Sequence, residues 1–455
     1  MTLVSLAAKV LTLNCRAVLA VNCRAIVCVA FHALSATCGS AHGQVLISPG
    51  SSATATGASG TVESQPTRDT YFGMHIHRAD KGTAWPTAKF GSWRLWDAYA
   101  GWPEIELERG KWDFSRLDRY VAIAKLSGVD ILLPLGRTPT WASSRPTEKS
   151  SYSPGQAAEP TNMKDWRNYV RTIGERYRGK VRNYDLWNEV NEKGFYSGSV
   201  EKLVELTCEA HRVLHEVSPE NRLVSPSFIG AGSEPDQLEN FLRMGGKACV
   251  DIVGYHFYVP HREPEEILPL VARIQAVMVR QGLADLPLWN TEFGWWMENG
   301  DGAPETGADK RWRRVRSSEG AAVLARSLIL GRWAGLDRFY WYAWDNQLLG
   351  LIEPSNGALK PAGVAYATLV RWMSFSTPNC TASRGVWSCA LPTLAGQSRR
   401  IAWHTNPHPT AFVSPRGEHL VSVERLDGTQ QSVASPKSPT VMLTPEPMLF
   451  FTASD

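Results

Sequence analysis

The chain has 455 residues, of which 43% are hydrophobic, and this predicts one large domain or a large domain with a small one. The formal charge is +4, but residues 1–43 carry three positive charges and no negative charge, which leaves +1 for the remainder. This balance supports neither a nucleic-acid partner nor an acidic substrate, and we predict no nucleic acid as partner.

The first 43 residues are typical of a secretory signal peptide. They contain basic residues, no acidic residue and the apolar run AIVCVAFHALSA, followed by the small residues of CGSAHGQ. We expect cleavage near Ala41–Gln44 and a periplasmic or secreted mature protein. The alternative is an N-terminal membrane anchor, but an apolar run of about a dozen residues is short for a membrane span. No other stretch predicts a membrane span in the mature chain.

After a linker or lead-in at residues 44–69, short apolar runs alternate with amphipathic helical patterns. Eight runs are candidate strands, at residues 71–77, 91–97, 129–136, 181–188, 222–228, 251–257, 286–293 and 337–344. Helical patterns lie between most of them, although residues 81–90, between the first two strands, are short for a helix. Eight strands alternating with helices over about 300 residues predict a (β/α)8 TIM barrel of the α/β class at residues 70–377.

From residue 378 onward the pattern changes to short strands separated by turns. We predict a small C-terminal all-β domain, similar to a β-sandwich, at residues 378–455. Cys380 and Cys389 flank a turn-like segment in this domain and are a candidate disulfide in an oxidising compartment. Cys208 and Cys249 lie in helical surroundings, and we expect them to be free, buried thiols. The sequence has no CxxC motif, and we predict no metal site and no cofactor.

Polar and aromatic side chains gather where the predicted strands end, which is where TIM-barrel enzymes place their catalytic groups. Glu189 follows the fourth strand and Glu292 lies at the end of the seventh, so the two carboxylates are expected to face each other across the barrel mouth. Cleavage of a glycosidic bond needs such a pair, because one group donates a proton and the other attacks or activates water. The candidate substrate-binding residues are Asn188, Arg94, His75, His256, Tyr258, Trp341, Trp344 and Trp141.

Two motifs carry a resemblance to a known group of enzymes. LWNEVN at residues 186–191 resembles the acid/base motif of the retaining TIM-barrel glycosidases grouped as clan A, and WNTEFGW at residues 289–295 resembles their nucleophile motif. Within this clan, residues 70–375 are most similar to glycoside hydrolase family 39, through GRTPTWAS after the third strand and GYHFY at the sixth. The sequence departs from the usual NEPN at Val190, which stands in place of the proline.

The resemblance implies a retaining mechanism without a metal ion, with Glu189 as the acid/base and Glu292 as the nucleophile. We therefore expect carboxyl groups about 5–5.5 Å apart, and a higher pKa for Glu189 because this residue must start protonated. The resemblance also implies roles for neighbours: Asn188 contacts the sugar 2-hydroxyl, Tyr258 and His256 orient or contact Glu292, Arg94 keeps Glu292 ionised, and Trp344 forms the floor of the subsite next to the cleaved bond.

Several of these residues have simpler interpretations. Glu192 is an alternative acid, although it lies three residues beyond Glu189 and is more typical of a loop charge. His75 and His256 are alternatively packing residues, and Arg94 alternatively forms a structural ion pair with Asp97. The basic run at residues 311–318 is either a solvated face or a contact for an acidic sugar.

The resemblance also suggests a substrate, since secreted bacterial relatives include endo-acting enzymes of exopolysaccharide gene clusters. Long loops at residues 137–161 and 294–314 are able to wall an extended cleft. Both favour a secreted retaining glycoside hydrolase that acts on a polysaccharide or oligosaccharide, with endo action on a bacterial exopolysaccharide preferred. The alternatives are an exo-acting β-xylosidase-like glycosidase, a transglycosylase, and a non-catalytic carbohydrate-binding protein, which the presence of both carboxylates disfavours.

Overall fold

The computed structural model describes residues 68–307, 312–405, 408, 410–433 and 440–454 of the chain. The predicted signal peptide at residues 1–43, and all but the last two residues of the lead-in at 44–69, lie outside these described residues. Within the part of the chain that is described, no helix combines the length and the apolar character needed to cross a membrane.

Eight parallel strands form a closed barrel, which confirms the predicted TIM-barrel fold. They are β1 (Phe72–His75), β2 (Ser92–Arg94), β3 (Asp130–Leu135), β4 (Asn183–Leu186), β5 (Arg222–Val224 and Phe228–Ile229), β6 (Val253–His256), β7 (Leu288–Phe293) and β8 (Arg338–Trp341). The barrel closes where β8 pairs with β1, in a register that places Phe339 opposite Phe72. The first segment of β5 pairs with β4 and the second with β6, so the interruption at residues 225–227 does not open the sheet.

Helices surround the barrel and return the chain from the carboxyl end of one strand to the amino end of the next. They are α1 (Trp102–Ile105), α2 (Ser115–Ser127), α3 (Met163–Arg176), α4 (Val200–Val217), α5 (Glu234–Arg243), α6 (Ile267–Gln281), α7 (Ser317–Trp333) and α8 (Pro361–Met373). In α2, the apolar side chains Leu117, Tyr120, Val121 and Ala124 recur at helical spacing and are buried. The helix ends at Gly128, whose φ of 63° is easily reached without a side chain.

No helix lies among the described residues that connect β1 to β2. Residues 81–90 form turns there, because a glycine and a proline interrupt any helical pattern. The Asp345 carboxylate, which follows β8, holds this connection in place. It accepts hydrogen bonds from the backbone N–H groups of His77 and Arg78 and from the Thr83 hydroxyl, at 2.8–3.1 Å.

The barrel interior is a packed core, as is usual for this fold. At the amino end of the barrel, Arg338 forms an ion pair with Asp130 at 2.6 Å, and its guanidinium lies 4.1 Å from the centre of the Trp289 ring. One interior cluster consists of Leu132, Val224, Ile252, Trp289 and Tyr340. The amino end is thus closed to substrate, and any site must lie at the carboxyl end.

The C-terminal region is an all-β domain, as predicted, and it packs on the barrel. Its strands are β9 (Asn379–Ser383), β10 (Val386–Leu394), β11 (Gln397–His404), β12 (Thr410–Ala411), β13 (Glu418–Glu424), β14 (Gln430–Ser432), β15 (Met442–Leu443) and β16 (Met448–Ser454). Six of them form an antiparallel sheet in the order β9-β10-β11-β16-β13-β14, and β12 pairs with β15. The Trp403 indole N–H donates to Glu265 at 3.0 Å, Arg371 of α8 pairs with Glu424 at 2.6 Å, and Arg399 donates to the Trp372 carbonyl at 3.4 Å, so polar contacts join the domain to the barrel.

Two disulfide bonds are present in the described chain. Cys380 and Cys389 lie opposite each other on β9 and β10 and are bonded. Cys208 of α4 is bonded to Cys249, which lies in a 3-10 turn before β6. The expectation of free thiols at Cys208 and Cys249 is therefore wrong. The local helical patterns give no sign that segments 41 residues apart in sequence pack against each other.

Candidate active site

Two glutamates face each other at the carboxyl rim of the barrel. Glu189 follows β4 and Glu292 is the fifth residue of β7, and their exposed fractions are only 8% and 7%. One carboxylate oxygen of each glutamate and one ring nitrogen of His256 all lie within 4.8 Å of one another. This separation agrees with the about 5 Å between a general acid and a nucleophile, whereas about 6.5–9.5 Å is needed to admit a water molecule between the two carboxyl groups.

Both oxygens of Glu292 are held by donors. The Arg94 guanidinium donates from Nη1 to Oε2 at 3.0 Å, and the Tyr258 hydroxyl donates to Oε1 at 3.0 Å. Arg94 ends β2 and Tyr258 follows β6, so strands on two sides of β7 fix this carboxylate. Donors to both oxygens stabilise the ionised form and orient it.

Arg94 also positions two further groups. Its Nε donates to Asp185 Oδ2 at 2.7 Å, and its Nη2 donates to Asn188 Oδ1 at 2.9 Å. The alternative ion pair with Asp97 is therefore not formed. Since the Asn188 oxygen accepts from Arg94, its amide nitrogen is the group that remains to donate to a ligand.

Glu189 has a different environment from Glu292. Its Oε1 shares a hydrogen bond of 3.0 Å with His256 Nδ1. Burial lowers the pKa of His256 to about 3, so this ring is neutral and provides no cation for the carboxylate. Burial raises the pKa of Glu189 to about 8, with a smaller contribution from the negative charge of Glu192. Glu192 itself is exposed, as expected for a loop charge, and is the weaker candidate for the acid.

Burial also raises the pKa of Glu292, to about 7, although Arg94 acts in the opposite direction. Burial thus raises the pKa of both carboxyl groups of the pair. The expectation that Arg94 keeps Glu292 at an ordinary acidity needs correction, because desolvation outweighs the neighbouring guanidinium. Because the two carboxyl groups lie close together, they titrate as a coupled pair, and burial favours the form of the pair that carries one proton.

The set of Glu189, His256 and Glu292 also has the spacing of a metal-binding group. Both oxygens of Glu292 already accept hydrogen bonds, one of them from the positively charged Arg94. A cation would have to compete with that fixed charge at close range. The arrangement therefore favours proton transfer and nucleophilic attack over metal binding.

A cavity of about 440 Å³ opens at the carboxyl end of the barrel, and the two glutamates are not among its lining residues. Asp97 links the cavity to the pair, because its negative charge contributes to the raised pKa values of both Glu189 and Glu292. Asp97 accepts hydrogen bonds from Tyr152 at 2.5 Å and from Tyr342 at 2.6 Å. The cavity is lined by His77, Asp97, Tyr99, Glu104, Arg137, Tyr152, Ser153, Gln156, Tyr342 and Asn346. Hydroxyl, carboxylate, amide and guanidinium groups with aromatic faces suit a ligand rich in hydroxyls.

Backbone strain is concentrated at this rim. Six described non-glycine residues within residues 70–377 have positive φ, and five of them, with φ between 39° and 58°, follow β2, β3 or β4. These five are Asp97, Tyr99, Arg137, Trp187 and Glu189. Each left-handed conformation costs about 1–3 kcal/mol and persists only where the surrounding contacts impose it. Strain of this kind clusters at functional sites, and here it occurs at Glu189 and at three cavity residues, Asp97, Tyr99 and Arg137.

Several predicted substrate contacts are corrected by the burial of the side chains. Arg94, His75, His256 and Trp341 are fully buried, and this favours positioning or packing roles over direct contact with a sugar. Arg94 and His256 act through the glutamates that they contact. Trp341 lies in the core, where its indole N–H donates to the Leu349 carbonyl.

The predicted tryptophan floor is also corrected. Trp344 is buried and donates to the Ala84 carbonyl, and Trp141 donates to the Glu106 carbonyl on the far side of the loop after β3. The aromatic side chain that β8 presents to the cavity is Tyr342, whose ring centre lies 5.0 Å from those of both His75 and His77.

The cavity residues that sequence reasoning missed fall into two groups. Asp97, Arg137 and Tyr342 directly follow strands, so the rule that selected Glu189 could have selected them. Tyr152 comes from the middle of the loop after β3, and no pattern in the sequence marks it. The basic run is a solvated face where it is described, since Arg313, Arg314 and Arg316 each pair with a glutamate; residue 311 lies outside the described chain.

The fold and the site together define a class: a TIM barrel with two opposed glutamates at the ends of β4 and β7. The glycosyl hydrolase family 10 model matches residues 95–207, which include β3, β4 and Glu189. A family 39 glycoside hydrolase from the gut symbiont Bacteroides cellulosilyticus WH2 has a similar structure, with 18% identity, TM-score 0.64, and coverage of 85% of this chain and 81% of that one.

Two further solved structures are similar. A monomeric β-xylosidase from Caulobacter crescentus CB15 has 16% identity and TM-score 0.58, over 80% of this chain and 90% of that one. A family 30 xylanase from Clostridium acetobutylicum has 14% identity and TM-score 0.54, over 80% and 89%. At these identities the structural similarity establishes the fold. The family-model match over residues 95–207 agrees with the resemblance to clan A glycoside hydrolases and with the predicted enzyme class, a glycosidase.

Proposed function

We propose that this protein is a secreted retaining glycoside hydrolase that cleaves a polysaccharide by double displacement, with Glu292 as nucleophile and Glu189 as acid/base. The single observation that supports this most directly is the close approach of the two carboxylates, in which one oxygen of Glu189 lies within 4.8 Å of one oxygen of Glu292. The different anchoring of the two groups supports the assignment of roles. Glu292 is held by a cation and a hydroxyl, whereas Glu189 contacts a neutral imidazole.

In the first step, a Glu292 oxygen attacks the anomeric carbon and the bond to the leaving oxygen breaks. Glu189 donates its proton to that oxygen, so the leaving group departs as a neutral alcohol. The raised pKa of Glu189 keeps this proton available near neutral pH. The amide nitrogen of Asn188 is placed to donate to the sugar hydroxyl beside the anomeric carbon.

In the second step, water attacks the anomeric carbon of the glycosyl-enzyme and releases Glu292. Glu189, now ionised, takes the proton from that water and returns to its starting state. Two inversions at one carbon give a product with the configuration of the substrate. The same intermediate passes to a sugar hydroxyl in the transglycosylase alternative, which differs only in the acceptor.

Among the possible substrates and modes of action, we propose endo action on a bacterial exopolysaccharide. The loop after β3 supplies Tyr152, Ser153 and Gln156 to the cavity, so it builds one wall of that cavity. Such a wall supports contacts with more than one sugar unit. The two disulfides support secretion, because disulfides persist in oxidising compartments, as does the signal-like sequence at residues 1–43.

Azide rescue tests the roles. For Glu189→Ala, dinitrophenyl glycosides need no proton for the first step, so the glycosyl-enzyme should accumulate and azide should restore turnover with a retained glycosyl azide. For Glu292→Ala, azide enters from the opposite face and should give the inverted product. Glu192→Gln is the matched control and should keep near-normal turnover. Rescue of both alanine variants with the same anomer, or of neither, would contradict the assignment.

A substrate panel tests the finer proposal. Aryl glycosides, xylo-oligosaccharides and purified bacterial exopolysaccharides should be incubated with the protein, and the products sized by mass spectrometry. A series of oligosaccharides from an exopolysaccharide supports endo action. Release of xylose alone from chain ends would favour the β-xylosidase-like alternative, and longer products at high acceptor concentration would favour the transglycosylase.

A further inference from the structure

A second cluster of titratable side chains lies at the opposite end of the barrel from the glutamates. His211 and His215 are one helical turn apart on α4, and Asp251 lies two residues before β6. His211 Nε2 is 3.3 Å from Asp251 Oδ1, and His215 Nε2 is 3.2 Å from Asp251 Oδ2. The two imidazole centres are 4.1 Å apart, so both rings point to the same place.

We propose that His211, His215 and Asp251 bind a divalent transition-metal ion, with Zn²⁺ as the best fit. Zinc prefers imidazole nitrogen and carboxylate oxygen at about 2.0–2.2 Å in a tetrahedron, which separates neighbouring ligand atoms by about 3.3 Å. Each histidine nitrogen lies at about this distance from one oxygen of Asp251, and one donor atom from each of the three residues lies within 4.8 Å of the other two. Histidines at i and i+4 present both rings on one helix face.

The site is open to solvent, and its charge is complementary to that of a divalent cation. The side chains of His211, His215 and Asp251 are 23%, 34% and 25% exposed, so an ion can enter and a water molecule can complete the tetrahedron. Two neutral imidazoles and one carboxylate give the site one negative charge, which suits a dication. Asp251 is already oriented, because the Leu223 backbone N–H donates to its Oδ2 at 2.8 Å. Hydrogen bonds of this kind fix the first ligands of metal sites.

A disulfide fixes the two elements that carry the ligands. Cys208 lies three residues before His211 on α4, and Cys249 lies two residues before Asp251. The bond between them therefore holds the histidine helix against the aspartate segment whether or not an ion is bound. A metal site that is preorganised in this way loses less conformational entropy when it binds.

The proposed ion is structural and has no part in the chemistry of the glutamates. Asp251 and His256 lie at opposite ends of β6, and five residues of strand separate them by about 16 Å. The prediction of no metal site assumed that the sequence has no HxxxH motif, and this assumption is wrong because residues 211–215 are HRVLH. The competing arrangement is a metal-free one, in which both imidazoles donate directly to Asp251, and the experiment must separate the two.

The test uses the full mature chain after treatment with a chelator. Adding Zn²⁺ in large excess over its dissociation constant should raise Tm by about 3 °C or more, since ligands that bind the folded state stabilise it. Co²⁺ should give the intense visible absorption of a four-coordinate nitrogen and oxygen site. The affinity should fall by more than about 100-fold in His215→Ala and in Asp251→Asn, beyond the effect of losing an outer hydrogen bond.

His261→Ala, which removes an exposed histidine elsewhere, is the matched control and should bind normally. Each variant is compared with its own chelator-treated form, so a loss of stability alone does not mimic a loss of binding. The double variant Cys208→Ser/Cys249→Ser should bind about 10-fold more weakly, whereas Cys380→Ser/Cys389→Ser should not change. No Tm shift in the unaltered chain, or equal shifts in the Asp251 and His261 variants, would overturn the proposal and leave the metal-free hydrogen bonds.

Discussion

The two ends of the barrel differ in how their charged groups are accommodated and in how often the backbone is strained. At the carboxyl end, two glutamates are buried with raised pKa values, and five described non-glycine residues have left-handed backbone conformations. At the amino end, the charged groups are paired: Arg338 with Asp130, and Asp251 with two histidines. At the amino end, Phe375, which follows α8 and donates its backbone N–H to Asp69, is the described non-glycine residue with a positive φ, at 57°. Stability at one end thus offsets strain and desolvation at the other.

The largest effect is expected for chemistry at the carboxyl end. Glu292→Gln preserves the size of the side chain but removes the nucleophile, so kcat/KM should fall by about 10⁴-fold or more. Steady-state kinetics on an aryl glycoside measure this loss. If the residual activity were within tenfold of the unaltered protein, Glu292 would not be the nucleophile, and the contrast between the two ends would lose its chemical basis.

The converse change is made at the amino end. Arg338→Met keeps the apolar stem over the Trp289 ring but leaves Asp130 without its cation, and the free energy of unfolding should fall by about 3–4 kcal/mol. Asp130 retains the hydrogen bond from Asn183, which limits the loss. Denaturant unfolding measures the change, and kcat per folded molecule should be unaltered. A large loss of kcat would show that the two ends are not independent.

Removing a buried carboxylate at the carboxyl end should instead stabilise the protein. Because folding raises the pKa of Glu189, its contribution to stability is fully present below the unfolded pKa of about 4.3 and is lost as the pH rises toward about 8. Glu189→Gln should therefore raise the free energy of unfolding by about 2 kcal/mol at pH 8 and have little effect at pH 4. A pH-independent change would point to packing rather than ionisation.

The smallest effect concerns the acidity of the nucleophile. The Tyr258 hydroxyl stabilises ionised Glu292, so Tyr258→Phe should raise the Glu292 pKa and move the acidic limb of kcat/KM upward by about half a pH unit. The basic limb, which reports Glu189, should stay in place. Movement of the basic limb alone would reverse the two assignments.

The sequence was informative wherever a pattern is local. Strands such as β7, with WNTEF inside a buried run, and helices such as α2, which ends at Gly128, follow from periodicity and from residues that terminate helices. Glu189 and Glu292 were found because catalytic groups follow strands in this fold. The same rule also applies to Asp97 and Tyr342. The prediction instead selected other charged residues and the large tryptophan side chains near the strand ends.

The remaining errors arise from contacts that are distant in sequence. The Cys208–Cys249 bond depends on how α4 packs beside the turn before β6, and Tyr152 reaches the cavity from a long loop. Trp344 and Trp341 were expected to contact a sugar, but their direction depends on how the segment after β8 folds back over the rim. Neither propensity nor spacing contains this information.

The Cys208–Cys249 bond also has a consequence for handling the protein. It closes a segment of 41 residues, which restricts the unfolded chain by about 4 kcal/mol, compared with about 2.6 kcal/mol for the nine-residue separation of Cys380 and Cys389. Protein produced in a reducing cytoplasm would lack both restraints and would be more prone to aggregate during purification. Production in an oxidising compartment, and storage without thiol reagents, should preserve the form described here.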